Sequence, residues 1–486
     1  MDAEQFKKFR ENARKLEQLN RSKPKVRPTC DRQQKLLIWE DELRKRKVQN
    51  DIVITIGVKH ACCYKQSSEL EAINLRDLEV PKIHASRYLV CRTITEPIYN
   101  ITASVLIEDT NSDIELLELY NFQTDFNASP SWLPTGKIIL IKEPYLKFTS
   151  LEQNIALQVA SPSDIVFIDE TDEKFLKEVG ALVWFNLDKM SFEELKLQGN
   201  ECYKKGNYEE ALKYYSRALK YQPTSPIIHL NCAATFLALE RYYEAYQAAK
   251  SALDNGADLQ KALFRLGKAA YGMRDWQKSS QHFIDLIKQF PNCNDAKKEL
   301  TRALARLKES RAGQFDLSSL FNQFHYDGVC YFDIADYVGP VKIANIPGKG
   351  KGLIATSDIE PGTLLTVSKA FSTVYPTHNQ ININVIDINS DYIISQTQLR
   401  HMIETMQVLK RNPHRTKELY AKYSGEDMKR DVDVPEGVID SNRIEKICIY
   451  NHDVLYLSSK QAENDDPVGL WLLPSYMNHS CLGKFL

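Results

Sequence analysis

The sequence predicts a multidomain α+β chain, and three stretches predict it. Residues 192–291 repeat on themselves every 34 residues, which asks for a helical solenoid. Residues 51–185 carry short runs of β-formers separated by turn residues. From Val341 a glycine-interrupted, strand-forming stretch opens a second β-rich domain. The length of 486 residues fits about three domains at roughly 150 each. A net charge of -1 gives no overall attraction to nucleic acid or to a membrane. No apolar run approaches the ~18 residues of a membrane helix, and the opening MDAEQFKKFR lacks the apolar stretch of a secretory signal. Ten cysteines without a CxxC pair point to reduced thiols inside a cell, cytoplasmic or nuclear, and to no metal site.

In chain order, residues 1–50 form a charged helical N-terminal segment, with fifteen Lys or Arg against eight Asp or Glu. Helices are expected over about 3–20 and 31–48, either side of the proline-containing RSKPKVRPTC. The run Arg44-Lys45-Arg46-Lys47 reads as a nuclear-import or nucleic-acid patch, or as a solvated helix face, which is the commoner cause. Residues 51–185 hold DIVITIGV, RYLVCRTI, TASVLIED, IELLELYNF, KIILIKEPYLKF and DIVFID. A five-stranded OB-like barrel fits that count. No array of exposed aromatics with basic residues argues for base stacking, so a docking or structural module is favoured over a nucleic-acid binder.

The repeats and a capping helix span 190–311. Gly199, Ala233 and Gly267 stand in register, as do Tyr208, Tyr242 and Trp276, and Tyr215, Ala249 and Phe283. Each copy reads as two antiparallel helices, for example 192–205 and 208–221 turned at Gly206-Asn207, with small residues where helices cross and aromatics beside them. This pattern resembles the tetratricopeptide repeat. Residues 294–310 put Leu300, Ala303, Leu304 and Leu307 on one stripe and are expected to cap the array, and 312–340 read as a linker.

A second pattern lies inside the repeats, in polar residues. Lys196, Asn200, Asn231, Lys261 and Arg265 follow one another at steps of 4, 31, 30 and 4 residues. Four residues are one helical turn, and about one repeat length carries the face to the next first helix, so all five are expected on one groove. Three cations and two amides there make an anion site. The spacing is similar to the two-carboxylate clamp of chaperone-binding repeats. That resemblance implies as partners the C-terminal Glu-Glu-Val-Asp tails of the seventy- and ninety-kilodalton heat-shock chaperones. Ordinary solvated groove residues are the competing reading.

The last domain is expected at 341–486. It opens on VKIANIPGKGKGLIATSDIEPGTLLTVSKAF, and GLWLLPSYMNHSCLGKFL stands about 125 residues later. This pair of segments resembles the SET-domain protein methyltransferases, above all those of the SET-and-MYND type, although no zinc-ligand MYND module is visible. The resemblance implies an S-adenosylmethionine site at Lys349, Gly350, Lys351, Gly352, Asn478 and His479, with Asn451 a further candidate, and a protein substrate with a target lysine. Glycines there would let the backbone approach the cofactor. The family's downstream strands and catalytic tyrosine have no counterpart after Leu486, so the catalytic residue is unknown and a truncated, impaired enzyme is expected. Two functions follow: a lysine methyltransferase that recruits chaperones or clients through its repeats, or a non-catalytic adaptor that binds chaperone tails.

Overall fold

A computed structural model describes residues 3–21, 27, 31–44, 51–56, 62–99, 101–123, 132–149, 154–187, 190–326, 332–376, 382–387, 393–426, 433–454 and 466–478. The chain divides into two units, Met1–Asp188 with Ser372–Leu470, and Lys189–Phe371 with Trp471–Leu486. The domain expected at 341–486 is therefore shared between the two.

The first unit opens with helices α1 (Ala3–Arg21) and α2 (Arg32–Arg44) and strand β1 (Asp51–Ile56). Ten strands then form one sheet: β2 (Glu71–Ala72), β3 (Lys82–Ile83), β4 (Arg87–Thr93), β5 (Ile98–Tyr99), β6 (Thr102–Asp109), β7 (Ile114–Tyr120), β8 (Ile138–Lys142), β9 (Tyr145–Phe148), β10 (Ile155–Val159) and β11 (Ile165–Ile168). Its main path runs β11-β8-β4-β6-β7-β10-β9-β3, with β7 and β10 parallel. Ten strands stand where five were expected, and DIVITIGV is not among them. The extra strands are mostly two-residue pieces too short to show period-2 patterning. β8 is buried along its whole length. Ile139 and Ile141 enter one core with Leu89, Cys91, Ile107 and Leu117, while Ile138 and Leu140 face a second with Leu176 of helix α3 (Glu173–Glu178). Burial on both faces makes IILI a continuous apolar run rather than an alternating one.

The basic N-terminal segment is bound to this sheet. Arg27 Nε lies 3.1 Å from Glu115, Lys35 pairs with the same carboxylate, and Arg32 sits 2.8 Å from Glu108. Trp39 is buried and donates to the Glu96 carbonyl. These cations neutralise buried carboxylates of β6 and β7; Lys45, Arg46 and Lys47 lie outside the described residues. Removing one partner of a buried ion pair costs roughly 3–5 kcal/mol. Glu115→Ala is therefore expected to lower the unfolding free energy by about 3 kcal/mol in urea denaturation.

The second unit carries the repeats: α4 (Phe192–Lys204), α5 (Tyr208–Tyr221), α6 (Pro226–Ala238), α7 (Tyr242–Asp254), α8 (Leu259–Gly272) and α9 (Trp276–Gln289), then α10 (Asn294–Ala312). Ser191 and Glu194 close a capping box on α4. The repeat register has a steric cause. A Cβ on Gly199 would stand 2.5 Å from the Tyr215 ring, and one on Gly267 would stand 2.7 Å from Phe283. Where an aromatic fills the second helix, only glycine fits on the first; in the middle copy both positions are alanine, Ala233 and Ala249. The expected linker contains a helix, α11 (Leu317–His325). Strands β12 (Tyr337–Val338), β13 (Val341–Ile346), β14 (Gly350–Ala355) and β15 (Thr366–Val367) follow, with β13 and β14 an antiparallel hairpin.

The chain then returns to the first unit with β16 (Ser372–Val374), β17 (Asn382–Asp387), β18 (Ile393–Ile394), α12 (Gln396–Arg411), α13 (Thr416–Tyr420), α14 (Ser441–Asn451), β19 (His452–Val454) and β20 (Val468–Leu470). β1 pairs parallel with β17, which places the DIVITI portion of that run outside the large sheet. Polar contacts fasten this segment to residues hundreds of positions earlier: Tyr64 donates to Asp440 at 2.7 Å, Ser161 and Ser441 hydroxyls meet at 2.9 Å, and the Ile439 N–H donates to Ser163.

Beside that seam lies Asp164, which accepts the Cys63 N–H through Oδ1, while Oδ2 is buried with no partner among the described residues. Burial pushes its carboxyl up to about 8. Against an unfolded value near 4, its stabilisation is complete at acid pH and is lost as pH rises toward 8. Buried His401 acts oppositely: burial pushes it down to about 4, so stability is lost as pH falls from about 6.5 toward 4. The two offset one another below about pH 6.5. The unfolding free energy is thus expected to fall between about pH 6.5 and 8, by up to ~1.4 kcal/mol per pH unit, and Asp164→Asn is expected to flatten that slope in denaturant titrations.

Candidate functional site

The five polar residues of the repeats sit on the first helices α4, α6 and α8. The Asn231 amide donates to Asn200 Oδ1 at 3.0 Å, and the Tyr215 hydroxyl donates to the same oxygen at 2.8 Å. α4 and α6 are thus joined through the two amides that the spacing singles out. Arg265 lies within electrostatic reach of Tyr203 and Tyr215. Its Nη1 is buried and has no hydrogen-bond partner among the described residues. Burial pulls the guanidinium below its ordinary value, against the opposing influence of nearby groups including Asp258. A buried donor of this kind costs free energy until an acceptor meets it.

The two lysines are placed differently. Lys196 pairs with Glu193 one turn earlier and lies 5.7 Å over the Phe192 ring. Lys261 is exposed at the start of α8, 3.8 Å from Asp258. Such pairs contribute little in water and exchange readily for another carboxylate. The structure therefore groups Asn200, Asn231 and Arg265 through Tyr215, with both lysines one turn away on α4 and α8. Tyr203 and Tyr215 escape a reading based on polar spacing. Tyr215 shows in the sequence only as a repeat-register aromatic, and so does Tyr203, two repeat lengths before Tyr271.

The glycine-rich motif is the hairpin joining β13 and β14. Gly348 and Gly350 have φ of +71° and +73°, with open space where a Cβ would stand. Lys349 and Lys351 are exposed at the tip. Gly352 is buried, and a Cβ there would lie 2.6 Å from the Asn478 side-chain amide and 2.6 Å from Ile346. The two motifs, 126 positions apart, therefore meet at Gly352 and Asn478. Asn451 belongs to the other unit, where its amide donates to the Tyr423 and Ile447 carbonyls at the end of α14. His479 lies outside the described residues. The three glycines have local reasons for being glycine: left-handed turn geometry at two, the approach of Asn478 at the third.

Comparison with known proteins agrees with the repeats. Residues 199–240 match a family model described as TPR repeat, and 261–292 one described as tetratricopeptide repeat. A Gibberella zeae protein named Methyltransferase is 25% identical over 474 residues, covering 92% of this chain and 65% of the relative. A Plasmodium falciparum Hsp70-Hsp90 organising protein is 31% identical over 122 residues, covering 25% of this chain and 47% of that protein. The chain thus spans less than two thirds of the length of either relative. Among solved structures, the first TPR of Spaghetti (RPAP3) bound to HSP90 peptide SRMEEVD is 24% identical, covering 25% of this chain and 95% of that one at a TM-score of 0.24. The protein is thus a mixed α+β chain with a tetratricopeptide-repeat solenoid and a β-rich region, and it has a methyltransferase-named relative along most of its length.

Proposed function

We propose that the repeat array binds an acidic C-terminal tail, of the Glu-Glu-Val-Asp kind borne by the seventy- and ninety-kilodalton heat-shock chaperones. The observation that carries this is the buried Nη1 of Arg265, without a hydrogen-bond partner among the described residues and within electrostatic reach of Tyr215, whose hydroxyl bonds the Asn200–Asn231 pair. A carboxylate is the acceptor that best meets a buried guanidinium, and the two exposed-side lysines add charge at either end. The name of the Plasmodium relative, which matches over 122 residues, supports the assignment. Isothermal titration of the full chain with a Glu-Glu-Val-Asp peptide is expected to give micromolar affinity, about 8 kcal/mol. Failure to bind at millimolar peptide contradicts the reading.

A second assignment rests on the meeting of Gly352 with Asn478 and on the methyltransferase-named relative. In it the chain is a SET-type protein-lysine methyltransferase acting in cytoplasm or nucleus, with S-adenosylmethionine as methyl donor. The residues fit that cofactor in one respect: at Gly348 and Gly350 no side chain covers the main chain, which is therefore approachable. Lys349, Gly350, Lys351, Gly352 and Asn478 would hold the cofactor, which supplies an electrophilic methyl group for a substrate lysine. The Asn478 amide lies against Gly352, where it offers a hydrogen-bonding group to a ligand.

A further inference from the structure

The array holds a second cationic set on α8, α10 and the turn after α8, and the chain's own residues already occupy it. Residues 332–336, Phe-Asp-Ile-Ala-Asp, lie against the last repeat and the cap as an extended strap. Asp333 accepts from the Tyr271 hydroxyl at 2.7 Å and from Arg302 at 2.9 and 3.1 Å, and its main-chain carbonyl accepts from Arg306. Asp336 lies 2.7 Å from Arg274, and the Ala335 N–H donates to Glu309 at 2.8 Å. Arg302 stacks 4.8 Å over the Tyr271 ring. Tyr271 lies six residues beyond Arg265 on α8, about 9 Å along the helix axis. Three arginines, two of them also paired with Glu299 and Glu309, and a phenol hold this Asp-x-x-Asp segment on the repeat that carries Arg265 and on the cap behind it.

We infer that this strap is an intramolecular ligand: it fills a second acidic-peptide subsite, which a longer acidic tail seated in the clamp takes over by displacing Asp333 and Asp336. The inference rests on the tail-binding reading above. Its chemistry is read from the strap itself, since a surface that holds one Asp-x-x-Asp segment through main-chain and carboxylate contacts accepts another. A tethered ligand competes at a high effective concentration, so the subsite adds little apparent affinity until the strap is weakened.

Three probes test this on the full chain by calorimetry: the tetrapeptide Glu-Glu-Val-Asp, the decapeptide Asp-Ile-Ala-Asp-Gly-Ser-Glu-Glu-Val-Asp, and capped Asp-Ile-Ala-Asp alone. The double variant Asp333→Asn, Asp336→Asn is expected to bind the decapeptide about fivefold or more tighter than the unaltered chain does, with the tetrapeptide unchanged. In the unaltered chain, saturating decapeptide is expected to speed amide exchange over 333–337, a readout that needs no variant to fold. Tetrapeptide binding with equal decapeptide affinity in both chains and unchanged exchange overturns the inference. Failure of the tetrapeptide contradicts the clamp instead. The strap is then judged by capped Asp-Ile-Ala-Asp: binding to the double variant and not to the unaltered chain supports it, and binding to neither overturns it.

Discussion

Arg265→Ala is expected to weaken binding of a free-acid Glu-Glu-Val-Asp peptide at least tenfold, and Arg265→Lys to recover only part of that loss. The reason is the state of the guanidinium before the ligand arrives. Its Nη1 is already desolvated and has no acceptor among the described residues, so a ligand carboxylate gains a charge-assisted hydrogen bond without stripping water from the donor. Such a bond contributes roughly 1.5–3 kcal/mol, a factor of ten to more than a hundred. Lysine restores charge but not the planar fork that meets a carboxylate through two parallel N–H donors. Lys261→Ala, at an exposed position, is expected to cost less than Arg265→Ala. Calorimetric titration of the three variants checks the order.

Gly352→Val is expected to reduce S-adenosylmethionine affinity tenfold or more, and Asn478→Ala to do the same. Any side chain at 352 meets the Asn478 amide and the end of Ile346 at 2.6 Å, well inside van der Waals contact. Both contacts are side-chain ends, Ile346 Cδ1 and the Asn478 amide, and a valine at 352 moves the two of them. The fold tolerates that movement, because the amide is the free end of an exposed side chain, but the position the cofactor would use is lost. The double variant is therefore expected to bind no more weakly than either single one, since both remove the same amide. Additive losses in calorimetry with S-adenosylmethionine contradict a shared site.

The two halves of the fold differ in how far the sequence reveals them. The repeats are legible because one local rule, glycine opposite an aromatic at Gly199–Tyr215 and Gly267–Phe283, recurs every 34 residues and sets the period. The longer strands over 87–148, β4 and β6 to β9, are legible from β-former runs alone. The return of 372–470 to the first unit is not: it depends on single polar pairs such as Tyr64–Asp440 and Ser161–Ser441, whose partners lie far apart in the chain and fit no spacing rule. The same holds for Arg27, Arg32 and Lys35, whose partners Glu108 and Glu115 lie about 75–90 positions later in the chain. At the candidate site, spacing places Asn200 beside Asn231. It does not reveal that Arg265 keeps a nitrogen unspent, because that depends on what neighbouring helices fail to offer. The strap at Asp333 is hidden for a related reason: α11 and the strap lie in a stretch whose composition reads as a linker.

The account turns on a carboxylate meeting Arg265 and the asparagine pair. The most direct measurement titrates the full chain with Glu-Glu-Val-Asp peptide as the free acid and as the C-terminal amide, at two salt concentrations. Removing one negative charge and one bidentate acceptor is expected to weaken binding at least tenfold, and the free acid is expected to lose affinity as salt rises. Equal affinity for the acid and the amide contradicts the clamp.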